Sequence, residues 1–184
     1  MQSLCPQQEG IAYTLRLSPK VLSHTFITMS DAHADLEAEV AGGVERTLVL
    51  ARTWLRWDGT PLVSEDEDRV YTPHKCLRRY ADHLVDHLAQ IEALTANATS
   101  LPDRWHGSLV TLAADWSPFT EADLREANER LTRLAEIYRL RLRALGPREW
   151  DRRRGEAWTI REIVEHVAPA WYAEQVGDLS TRAG

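Results

Sequence analysis

Apolar side chains recur along most of this chain at the three- and four-residue intervals of an α-helix. The clearest stretch follows Thr72-Pro73, a hydroxyl N-cap with proline at the first helical position. From there to about Ala96, the residues Leu77, Tyr80, Ala81, Leu84, Leu88 and Ile91 fall on one face. Thr120-Glu121-Ala122-Asp123 opens a second helix as a near capping box, and Gly146-Pro147 stops it after Leu145. Thr159, with Glu162 three residues on, caps a third. That helix carries Ile160, Ile163, Val164, Val167 and Trp171 on one side, and Pro169 inside it removes a backbone donor and is expected to bend it. Upstream, Ser30-Asp31 caps a long helix from about Ala32 to Trp57. Gly42-Gly43 is its weak point, and Asp58-Gly59-Thr60-Pro61 ends it.

The first thirty residues read differently. Residues 11–17 alternate apolar and polar side chains, Ser18-Pro19-Lys20 reads as a turn, and residues 21–29 are β-prone again. A short β-hairpin follows, and a lone hairpin is marginal in water, so it must pack on something else. Residues 64–68 form an acidic linker, Val70-Tyr71 reads as a short strand, and residues 97–118 read as loop with one turn near Leu109 to Ala114. The expected fold is therefore mainly α: an up-and-down four-helix bundle over residues 32–184, with the hairpin of residues 1–31 as an appendage.

Composition narrows the function classes. With 43% hydrophobic and 27% charged residues, the chain has the makings of an ordinary packed core. No apolar run reaches the roughly 18 residues that a membrane-spanning helix needs. The start, Met1-Gln2-Ser3-Leu4-Cys5-Pro6, lacks the basic and apolar regions of a secretory signal, so the expected place is the cytoplasm, with no membrane partner. Cys5 and Cys76 have no metal-site spacing and are expected to stay reduced there. A formal net charge of −6, with Asp and Glu interleaved among the arginines, argues against nucleic acid as a partner. Most of the seven tryptophans read as core anchors.

Three histidines carry the candidate chemistry. His83 and His87 stand four residues apart, one turn above the other on a single helix face. That spacing lets two nitrogens address one metal ion. It is also the spacing of two ordinary surface histidines. His166, on a separate helix, offers a third imidazole, provided that both helices line the core. Three protein ligands would leave a position open for catalysis, and imidazole suits zinc, nickel or iron. Asp82, Asp86, Glu165 and Glu174 are within sequence reach as acceptors for the ligands' other N–H groups. Cys76 and Tyr80 stand on the same helix as His83; both also read as core residues. Arg152-Arg153-Arg154 reads either as an anion site or as a solvated connector. His24, His33, His74 and His106 belong to no motif.

These stretches resemble the DinB-like (YfiT-like) metalloenzyme superfamily. Trp158-Thr159-Ile160-Arg161-Glu162-Ile163-Val164-Glu165-His166 resembles its helix that opens with a tryptophan and a hydroxyl cap and carries a histidine two turns later. His83, His87 and Gln90 resemble its HxxxHxxQ motif, and Phe119-Thr120-Glu121 through Trp150 resembles the helix preceding the single histidine. The resemblance implies a four-helix bundle, a divalent metal held by His83, His87 and His166, a small-molecule substrate, and a homodimer. The implied activity is that of a hydrolase or of a transferase using a low-molecular-weight thiol. Three departures stand out. The two histidine helices come in exchanged order, Ala170 stands four residues after His166, and Pro169 follows His166 closely. They motivate the rival expectation of a non-catalytic bundle with a degenerate site, acting in dimerisation or partner binding. The start of the chain, through Trp54-Leu55-Arg56-Trp57-Asp58-Gly59-Thr60-Pro61 and the acidic stretch, is similar to a HicB-like module. That likeness implies an alternative division into a small α/β unit up to residue 70 and a helical bundle from 71 to 184.

Overall fold

The computed structural model describes residues 29–64, 68–101, 107 and 109–181, with side chains described from residue 36 onward. The hairpin expected over residues 11–29 lies almost wholly outside that range, as does the middle of the acidic linker. Within it the chain is mainly helical, with one small antiparallel sheet. The helices are α1 (Met29–Ala51), α2 (Pro73–Thr95), α3 (Glu121–Leu145), α4 (Pro147–Trp150), α5 (Ile160–Val167) and α6 (Trp171–Val176). Short 3-10 segments follow α1 at Arg52–Arg56 and precede α3 at Ala113–Trp116. No described helix is long and apolar enough to cross a membrane.

The local signals act where they stand. Thr72 caps α2, its hydroxyl accepting the Lys75 amide, with Pro73 at the first helical position. Thr120 with Asp123 and Thr159 with Glu162 close reciprocal capping boxes on α3 and α5. Gly146, at φ 72°, ends α3 and leads into the single turn of α4.

Other expectations need correction. The first helix begins at Met29, ahead of the Ser30-Asp31 cap, and its last turn tightens to 3-10 from Arg52. It runs unbroken through Gly42 and Gly43. The turn placed near Leu109 to Ala114 lies at Ala113–Trp116. β1 (Leu62–Val63) was not expected, yet it is what Val70–Tyr71 (β2) pairs with, in register Leu62 to Tyr71 and Val63 to Val70. Pro169 breaks its helix rather than bending it. α5 closes at Val167, and the chain restarts at Trp171 as α6.

α1 packs chiefly on α3, and α3 also touches α2. α5 and α6 lie against both α1 and α2. The core fills the space between: Leu36, Val40, Val44 and Leu48 recur every fourth residue on α1, meeting Leu84 and Ile91 of α2, Leu131 and Leu142 of α3, and Ile163 and Val167 of α5. Buried aromatics bring their polar ends to backbone carbonyls. Tyr138 donates to Leu84 O at 2.7 Å, Trp150 to Leu142 O at 2.9 Å, and Trp54 to Gly177 O at 2.8 Å.

One contact is tighter than the rest. A Cβ on Gly43 would stand 1.6 Å from the carbonyl oxygen of Ala168 and 2.7 Å from the Tyr80 hydroxyl. The glycine admits the α5–α6 break against α1. Its neighbour Gly42 would meet only the Arg46 guanidinium, at 3.3 Å. Gly43→Ala should therefore cost at least about 3 kcal/mol, a midpoint loss of roughly 6–12 °C. Gly42→Ala should gain up to about 1 kcal/mol of helix propensity. Thermal denaturation of the two variants checks this, and equal midpoints would contradict the close approach.

Candidate metal centre

Two helices supply the cluster. His83 and His87 stand one turn apart in the middle of α2, held by the burial of Tyr80, Leu84 and Ile91 on the adjoining face. His166 sits in the last turn of the short α5, whose Ile160, Ile163, Val164 and Val167 are all buried. The three imidazoles converge. One ligand nitrogen from each lies within 4.8 Å of the others. Ring centroids are 4.7 Å apart for His83 and His87 and 5.0 Å for each of these with His166, with the rings steeply inclined to one another. Pro169 leaves the aim of His166 intact, because the helix breaks only after it.

The protonation pattern suits ligation. Burial, the neighbouring His87 and His166 and the Arg79 guanidinium hold the His83 imidazole down to about 3, from an ordinary 6.5. His83 is therefore neutral at physiological pH. Its Nε2 is buried and has no hydrogen-bond partner among the described residues. His87 is oriented from behind: its Nδ1 lies 2.8 Å from Gln90 Oε1. With the carboxamide oxygen accepting, Nδ1 carries the proton and Nε2 keeps its lone pair.

The other candidates go elsewhere. Asp82 faces Arg79 at 3.5 Å and Arg78 at 3.8 Å, while Glu165 and Glu174 are exposed. The supporting acceptor for His87 is the amide Gln90 rather than any of these carboxylates. Cys76 is fully buried, and burial pushes its thiol up, which removes it as a nucleophile. The Tyr80 hydroxyl donates to Ala168 O at 3.3 Å, a structural bond. Arg152, Arg153 and Arg154 are each paired with Glu149 or Glu162. His74 lies 3.4 Å from Pro118 O and 3.9 Å from Asp123. The side chains of His24, His33 and His106 lie outside the described residues.

Sequence reasoning missed the aromatic surroundings. Trp171, assigned to the apolar side of its helix, is 43% exposed, and Trp158 is 42% exposed. Both rings lie against the imidazoles, Trp158 stacking on His87 at 12° and 6.2 Å. Tyr172 approaches His83 at 5.7 Å. The only signal for this was position: Trp158 directly precedes the Thr159 cap, and Trp171 directly follows the break. Two grooves of about 450 and 330 Å³ run along α2 and α3, but neither is lined by these imidazoles. The candidate site is therefore the imidazole cluster and not either groove.

Stability should report the neutral His83. In the unfolded chain this imidazole takes up its proton near 6.5, whereas the folded site resists until about 3. Its contribution is whole above 6.5 and is lost as pH falls through that window, by at most about 1.4 kcal/mol per pH unit. In chelator-treated protein, the stability gap between wild type and His83→Gln should shrink from pH 7 to pH 4. Denaturant melts at the two pH values measure it, and an unchanged gap would contradict the assignment.

Set against protein-family models, curated proteins and solved structures, the chain matches none of them.

Proposed function

We propose that His83, His87 and His166 hold one divalent metal ion, and that the chain is a metal-dependent enzyme of the DinB-like type acting on a small molecule. One observation carries the reading. Three imidazoles from two separate helices meet within 4.8 Å, and one of them, His83, keeps a buried Nε2 without a hydrogen-bond partner among the described residues. A buried polar atom left so is costly. A metal ion would remove that cost, and zinc, nickel or iron suits the donor set.

The fold reading that goes with it is a four-helix bundle in which α5 and α6 share the fourth place. The contacts of α1 with α3, of α3 with α2, and of α5 and α6 with α1 and α2 support it. The ion would lower the pKa of bound water or of a thiol and polarise a carbonyl. Three neutral imidazoles fit that task, since none cancels the ion's charge. Gln90 fixes the His87 tautomer, and burial keeps His83 deprotonated. A hydrolase or a transferase using a low-molecular-weight thiol follows, with the resemblance of His83, His87, Gln90 and the Trp158–His166 helix as the only ground for the thiol.

Zinc titration of chelator-stripped protein tests this by calorimetry and melting. One ion should bind, and zinc at a hundredfold excess over Kd should add about 2.7 kcal/mol, roughly 5–11 °C in midpoint. His87→Ala and His166→Ala should abolish both effects. A flat melting response in wild type, or equal zinc binding by the variants, would leave the chain a non-catalytic bundle. Gln90→Ala should weaken zinc binding by about 10–100-fold without changing the stoichiometry.

A further inference from the structure

Two tryptophans bracket the imidazole triangle. Trp158 lies 6.2 Å from His87 and 4.9 Å from His166; Trp171 lies 5.0 Å from His166 and 6.4 Å from His83. Each indole thus covers a different edge of the triangle, and both share His166. Exposure alone sets nothing apart, for Trp116 is 45% open as well. What distinguishes this pair is that each ring centroid lies within 6.4 Å of two of the three candidate ligands while the residue stays more than two-fifths exposed.

The backbone holds both indoles in place. Trp158 stands directly before Thr159, whose capping box with Glu162 closes through bonds of 3.2 Å and 2.7 Å. Trp171 is the first residue of α6. Had α5 continued unbroken, residue 171 would lie five positions beyond His166, about 140° round the helix from it at 3.6 residues per turn. The break at Pro169 is what returns the indole to the imidazole.

We infer that Trp158 and Trp171 form the walls of the substrate site, and that the substrate is an anionic metal ligand bearing a flat, apolar ring. The inference rests on the three-histidine metal reading. Charge selects the ligand. An indole face attracts organic cations as well as flat apolar groups, but a divalent ion held by three neutral imidazoles keeps both its charges beside the same faces. A cationic group is repelled there. An anionic donor is drawn to the ion, and its body then lies against the exposed indoles, where ring contacts are favourable.

Two probes that share one zinc-binding head test this: acetohydroxamate, without a ring, and benzohydroxamate, with one. Zinc affinity and zinc content are measured first, for wild type, Trp158→Ala, Trp171→Ala and the two Trp→Phe variants. All should bind one zinc within about threefold of wild type, since neither indole offers the ion a ligand atom. Affinities of the two probes for the zinc-loaded proteins follow. Each aromatic contact changes affinity by roughly 2–12-fold, so benzohydroxamate should bind wild type at least about fivefold more tightly than acetohydroxamate. Either alanine substitution should cut that advantage at least about threefold, and phenylalanine should retain most of it. A smaller advantage in wild type, or one that survives both alanine substitutions in zinc-loaded protein, overturns the indole walls and leaves the metal reading standing. Failure of wild type to bind zinc overturns both.

Discussion

Everything in the candidate site hangs on one carbonyl, that of Ala168. It follows the last residue of α5, where a helix end leaves its carbonyls without helical partners. The Tyr80 hydroxyl of α2 donates to it at 3.3 Å, and Gly43 of α1 faces it so closely that no side chain fits between. Three elements from distant parts of the chain are thereby pinned at a single atom. From that pin, His83 stands three residues on along α2, and His166 two residues back along α5. The register between the two histidine-bearing helices is set there, before any ion is considered.

α2 carries a second polar cluster, near its start, and the contrast is instructive. The buried Lys75 ammonium donates to Val70 O at 2.5 Å and to Thr111 at 3.0 Å. Arg78 grips the Asp115 carboxylate with two bonds of 3.1 and 2.7 Å, and the Thr72 hydroxyl donates to the Asp115 carbonyl at 2.7 Å. Burial works against the Asp115 charge, yet Arg78 and the Leu112 amide hold its carboxyl below the usual range. This network ties the segment around the 3-10 turn to α2, and its bonding capacity goes into that task. The imidazole cluster differs in that His83 Nε2 is buried and without a partner among the described residues. Both clusters are polar and partly buried, and only the second leaves a donor atom for a ligand.

What the sequence disclosed follows the range of the interaction involved. Thr72-Pro73, Thr120 with Asp123, and Thr159 with Glu162 act on amides within three residues, so the starts of α2, α3 and α5 were legible. The mainly helical character was legible for the same reason, and so was the His83–His87 spacing. The role of Gly43 was not, because a glycine reads as a weak point until the carbonyl opposite it is known. Pro169 announced a disturbance but not its size; a break needs Ala168 O to find partners elsewhere, which are supplied across the fold. Trp158 and Trp171 read as core because tryptophan usually is. Their exposure follows from a cap and a break that turn each ring toward the imidazoles.

The lengths of the helices give the candidate site a structural consequence. α2 has 23 residues, whereas α5 has eight and α6 six. Helices so short are marginal in isolation and persist through tertiary packing. α5 has that packing on one side, through Ile160, Ile163, Val164 and Val167. On the side facing α2, His166 meets His83 and His87, its ring centroid 5.0 Å from each. An ion shared by His83, His87 and His166 would join the short helix to the long one across that contact. The free energy of binding would then appear as stability of the α5–α6 corner. The two indoles belong to the same corner, one at each end of α5. On the proposed reading, ordering the three imidazoles and ordering the two indoles would therefore be a single event.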